Sequence, residues 1–93
     1  MKYFAAFLKM KDEAKSAEHR QAHLDFVEEM VGQDRLFSYG RLTDGTGGLL
    51  IYQAESLEQA TDLANLDPYV ELGARELSIH EWVMQSPYEF IKK

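Results

Sequence analysis

The chain has 93 residues, a formal net charge of −6, 45% hydrophobic and 28% charged residues, and no cysteine. Without thiols there is no disulfide, no thiolate nucleophile and no cysteine-ligated zinc or iron–sulfur centre, and an acidic chain offers neither the basic patch that nucleic acid requires nor attraction to an anionic membrane surface. A length this small accommodates one domain, expected over residues 1–93, and such domains bury a modest share of their surface and gain stability by oligomerising.

The first segment, KYFAAFLKM at residues 2–10, reads as a strand from its aromatics and its length. It is apolar on both faces, which predicts cover on both sides. Lys9 interrupts its apolar run, no small-residue cleavage site follows, and no run approaches the roughly 20 apolar residues of a membrane span. A cytoplasmic protein that avoids membranes is therefore expected.

From Ser16 to Val31 the period becomes helical, with His19, His23, Phe26, Val27 and Met30 on one stripe. Ser16 or Asp12 can cap its start, and Gly32 fits the residue just past its end. LFSYGRLT at residues 36–43 and LLIYQA at 49–54 flank the turn DGTGG and predict a β-hairpin. Residues 55–66 predict a second helix: Ser56 and Gln59 have capping-box spacing, and Leu57, Ala60, Leu63 and Ala64 form its apolar stripe. Asp67-Pro68 ends it, because the residue before proline is pushed out of the α region. ARELSIHEWVM at residues 74–84 is the last strand, in which Leu77, Ile79 and Val83 alternate with Ser78, His80 and Trp82. The tail SPYEFIKK is expected to pack as an appendage or cross to a partner.

The order β-α-β-β-α-β predicts an α+β ferredoxin-like domain, a four-stranded antiparallel sheet with both helices on one face. The other face would be bare and apolar, and a second copy is its expected cover, giving a homodimer.

Three histidines invite a metal reading. His19 and His23 stand one helical turn apart, but Arg20, Gln21 and Ala22 lie between them in place of the H-E-x-x-H pattern, and no third ligand has a supporting spacing. Neither a metal nor another cofactor is expected. His23 shares its stripe with Phe26, Val27 and Met30, and an inward imidazole needs partners for both ring nitrogens. Asp67, aimed by the rigid proline after it, is the candidate partner. The alternative is a histidine at the edge of the core, satisfied by backbone. Ser38 can donate a hydrogen bond into a pocket, although no G-x-S-x-G elbow marks it as a nucleophile. Tyr39 and Trp82 fit either an aromatic pocket or an interface. The glycines of DGTGG lack the lysine and following helix of a phosphate loop.

RQAHL at residues 20–24, RLFSYG at 35–40 and LDPYVELG at 66–73 resemble, in order and spacing, the three blocks of the YciI-like (YCII) family. The resemblance spans nearly the whole chain, and the Asp-Pro-Tyr block is its most specific part. It implies a ferredoxin-like fold related to the dimeric α/β barrels and an active site centred on a histidine and an aspartate, here His23 and Asp67. By motif position it adds Arg20 and Tyr69. Relatives of the wider fold include muconolactone isomerases, and lyase-like chemistry is suggested for some members. Two positions depart from the family pattern: Arg41 follows Gly40 where proline is common, and Glu81 replaces a proline of the last strand. Arg41 is either an anion contact or a solvated charge at a strand end.

A carboxylate beside an imidazole fixes its tautomer, and such a pair can take or return a proton at neutral pH. The expected function is metal-free proton transfer, isomerase or lyase in type, on a small organic acid. The alternative is a dimeric module, small-molecule-binding or regulatory, without catalysis; a third reading makes the domain a purely structural dimer.

Overall fold

The computed structural model of the chain describes residues 1–88. Four strands, β1 (Lys2–Met10), β2 (Leu36–Arg41), β3 (Gly47–Ala54) and β4 (Arg75–Trp82), form one antiparallel sheet in the order β2-β3-β1-β4. The helical segments are α1 (Glu13–Glu18), α2 (Arg20–Gly32), α3 (Leu57–Asn65) and α4 (Pro68–Glu71). This is the expected ferredoxin-like α+β arrangement. Among the described residues no helix is long and apolar enough to cross a membrane.

The pleat decides what is buried. Phe4, Ala6 and Leu8 of β1 are fully buried and face the same side as Leu50, Tyr52 and Ala54 of β3. Val27 and Met30 of α2 and Ala60 and Ala64 of α3 close on that side. Small alanines let α3 approach the sheet closely, while the larger α2 residues fill the space above the β2 side. Tyr3, Ala5 and Phe7 point the other way, alongside Leu49 and Ile51, and Tyr3 meets Phe37 edge-on with centroids 5.3 Å apart.

Several boundaries differ from expectation for physical reasons. The first helix begins at Glu13, with Asp12 as its cap accepting from the Lys15 N–H at 2.9 Å. Ser16 is no cap: it is buried and tied to Ala74 and Met10. The helix bends at His19 (φ −101°, ψ 12°), so that α1 stays pinned by Ser16 while α2 lies along the sheet. Gly32 is the last helical residue, and the left-handed position falls two residues later, at Asp34 with φ 58°. In the second helix Ser56 Oγ accepts from the Gln59 N–H at 3.1 Å, but the Gln59 amide oxygen accepts from Glu55 N–H at 2.8 Å, one residue before the cap. The proline does not simply end this helix: Asp67 caps a new turn, α4, with Pro68 in its first position. The expected packing of the tail, residues 86–93, falls mostly on residues 89–93, which lie outside the described residues.

Candidate active site

The site is built where α4 meets α2. Asp67 has extended geometry (φ −62°, ψ 125°), as a residue before proline must, and its Oδ1 accepts from the Tyr69 N–H at 2.9 Å. The residue is fully buried, and a buried carboxylate is tolerated only with close hydrogen-bond partners. The second partner is His23. Its Nδ1 lies 2.8 Å from Oδ1 and 2.9 Å from Oδ2 of Asp67, across 44 residues of sequence. The imidazole also stacks on Tyr69, with centroids 4.1 Å apart and planes 13° from parallel. Held by an edge and a face, the ring has one orientation.

That orientation has a chemical consequence. With Nδ1 committed to Asp67, the free edge of the ring is Nε2. Among the described residues no buried side-chain nitrogen or oxygen lacks a partner. Among the described residues Nε2 has no hydrogen-bond partner, so by the same token it is not sealed from solvent, and His23 lines the cleft. The charge of Asp67 is also felt in the core: burial, and after it the Asp67 carboxylate, push the Tyr52 hydroxyl well above the usual tyrosine range, so Tyr52 stays protonated.

The cleft, about 620 Å³, runs between α2 and the β2 end of the sheet. Leu8, Leu50 and Val27 form its apolar floor and wall, and Arg20, Arg41, Arg75 and Glu13 bring charge to it. Tyr69 and Tyr39 supply aromatic surface. Volume and lining suit a small molecule.

Of the residues singled out from sequence, the structure brings His23, Asp67, Tyr69, Arg20 and Arg41 together here. Ser38 is a correction. A β-bulge lies between Leu36 and Ser38, so Leu36 pairs with Tyr52 but Ser38 pairs with Ile51. The inserted residue turns Ser38 to the far face of the sheet, where it is exposed, and gives the cleft positions to Tyr39 and Arg41. Trp82 and His80 also lie on the far face, His80 beside the Ser78 hydroxyl at 3.2 Å. His19 lies 3.9 Å from the Glu18 carboxylate and is not among the residues lining the cleft. Among the described residues no three histidine or carboxylate side chains cluster in a way that could hold a metal ion. Sequence reading missed Arg75 and Glu13. The signal for Arg75 was present: it stands two residues before Leu77, in the same alternation as Leu77 and Ile79.

The family model described as YCII-related domain matches residues 1–83. Uncharacterized protein YjpA of Bacillus subtilis (strain 168) is 35% identical over 83 residues, covering 89% of this chain and 98% of the relative. Among solved structures, 5-chloro-2-hydroxyhydroquinone dehydrochlorinase (TftG) from Burkholderia phenoliruptrix AC1100, in complex with 2,5-dihydroxybenzoquinone, matches with a TM-score of 0.70. It is 21% identical, and the match covers 86% of this chain and 92% of that one. At that identity the likeness is one of fold.

Proposed function

This chain belongs to the YCII-related domain family, and on that premise we propose that it is a small enzyme moving a proton on a small organic acid, with His23 as the base. The observation that carries the reading is the pair of contacts from His23 Nδ1 to Asp67, at 2.8 and 2.9 Å, with Nε2 left open to the cleft. In the neutral ring Nδ1 holds the proton it donates to Asp67, and Nε2 presents its lone pair. A substrate C–H placed at Nε2 loses its proton to the ring, and the electron pair of that bond moves into a new double bond. Asp67 stabilises the imidazolium so formed; it is a positioning residue that never touches substrate. Returning the proton to another carbon completes an isomerisation, and departure of a leaving group completes an elimination. Arg20 and Arg41 stabilise the negative charge that develops meanwhile. The chemistry in the name of the structural neighbour, a dehydrochlorinase, is of the elimination kind, which supports the same class here.

The bare face of the sheet completes the proposal at the level of assembly. Tyr3, Phe7 and Leu49 form an apolar patch across two strands, and a second copy is the cover we assign to it.

Substrate identity is not needed for the decisive test. Small 2-oxo acids, 2-hydroxy acids and hydroxyquinones are incubated with the protein in D2O, and loss of C–H proton signal is followed by NMR. Wild type is expected to exchange deuterium into at least one of them, with the rate falling about 10²–10⁴-fold in His23→Gln and in Asp67→Asn. Exchange that survives His23→Gln overturns the assignment. A ligand that binds but never exchanges favours the module reading, which the charged lining of the cleft also suits.

A further inference from the structure

Proton transfer at His23 leaves one well-built feature of the cleft unused. Arg75, near the start of β4, donates from Nε to the Ser16 hydroxyl oxygen at 3.0 Å. Ser16 is itself buried, and its own proton goes to the Met10 sulfur at 3.3 Å or the Ala74 carbonyl at 3.4 Å, so its lone pairs are free for the guanidinium. The Arg75 Cζ lies 4.4 Å from the centroid of the Tyr69 ring, the ring on which His23 stacks. One edge and one face of the guanidinium are thereby fixed.

Its terminal nitrogens are not spoken for. Among the described residues no carboxylate pairs with Arg75. Space is kept open beside Nη1 by Gly48, where a Cβ would stand 4.0 Å from that nitrogen and 3.2 Å from the Gly40 carbonyl. A guanidinium drawn partly out of water ordinarily takes a carboxylate partner. Here 16 acidic residues outnumber 10 basic ones, yet none of the described ones is spent on Arg75. Arg20 and Arg41 also line the cleft unpaired, but both are exposed side chains with no such support.

The spacing completes the argument. The imidazole centroid and the guanidinium Cζ stand 4.1 and 4.4 Å from one ring centroid, so those two points lie no further apart than the sum of the two. That is the reach of an acid of a few carbons. We propose that Arg75 is the carboxylate anchor of the cleft: the ligand is a small carboxylic acid whose carboxylate bonds the Arg75 terminal nitrogens, which puts a carbon a few bonds away at His23 Nε2. The position of that carbon rests on the proton-transfer reading above; the anchor itself does not.

Sodium maleate is the probe, with its uncharged dimethyl ester as control, titrated while the Arg75 Nε–H resonance is followed by NMR. Maleate is expected to shift that resonance in wild type and in His23→Gln, and the ester to leave it in place. Arg75→Gln is expected to weaken maleate binding about 10- to 100-fold, with part of the loss recovered in Arg75→Lys, which keeps charge but not the planar fork. If Arg75→Gln does not fold, the wild-type shift with maleate against ester decides the matter. Equal binding by a folded Arg75→Gln, an equal response to the ester, or no response to millimolar maleate overturns the anchor. Each of those results leaves the His23 exchange experiment standing. Maleate binding as expected without any deuterium exchange removes the proton-transfer reading and keeps the anchor.

Discussion

A carboxylate buried as completely as Asp67 constrains its neighbours. It orients His23 directly, fixes the first turn of α4 through the Tyr69 N–H, and reaches Tyr52 through space. The last effect gives a test in the protein's stability. An unfolded tyrosine ionises near its ordinary value of 10.0, while burial and the Asp67 charge hold the Tyr52 proton to higher pH. Above pH 10 the folded state therefore binds a proton that the unfolded state has lost, so stability falls as pH rises; below it the contribution is fully present. Tm measured between neutral pH and pH 12 is expected to fall more steeply for wild type than for Tyr52→Phe. Parallel curves would show that the Tyr52 hydroxyl is solvated and that the Asp67 charge does not reach it.

At the scale of elements, the β2–β3 hairpin sets the width of the cleft, because Gly40, Arg41 and Gly48 all border it. Its turn is held by Asp44, whose carboxylate accepts from the Thr46 N–H at 3.0 Å and from the Thr46 hydroxyl at 2.6 Å; these bonds keep its pKa below the ordinary value. Two glycines follow different logic. Gly45 is left-handed at φ 81° but open to solvent, whereas Gly47, at φ 148°, presses against β1, and a Cβ there would collide with the Leu8 carbonyl. Gly47→Ala is expected to cost about 2 kcal/mol or more, and Gly45→Asn within about 1 kcal/mol, since asparagine tolerates the left-handed region. Urea titration of both variants measures the contrast; equal midpoints would mean that β3 can shift away from β1 without loss.

For the whole molecule, the issue is the face of the sheet opposite the helices. An apolar surface spanning Tyr3, Phe7 and Leu49 is costly to leave in water. Sedimentation equilibrium is expected to give twice the chain mass of 10.7 kDa for wild type. Phe7→Lys places a charge in the centre of that face and is expected to yield a folded monomer. A wild-type monomer at micromolar concentration would end the proposal of a second copy, and neither result bears on the cleft, which lies on the other side of the sheet.

The local patterns in the sequence determined the elements and half of the site. The order of strands and helices, the stripe carrying His23, Phe26, Val27 and Met30, and the Asp67-Pro68 block all follow from period and backbone stereochemistry, which act between residues a few positions apart. A pairing such as His23 with Asp67 was legible because each residue carries its own local mark: an imidazole on an apolar stripe, and an aspartate locked by a proline. What the tertiary structure alone decided depends on register. One bulged residue in β2 carried Ser38 out of the cleft and brought Tyr39 and Arg41 into it, since a shift of one position exchanges the two faces of a strand. Pairing of Met10 with Arg75 set the latter beside Ser16, 59 residues away in sequence. Register of that kind is chosen by the packing of the whole sheet against its helices, and no short stretch of sequence contains it.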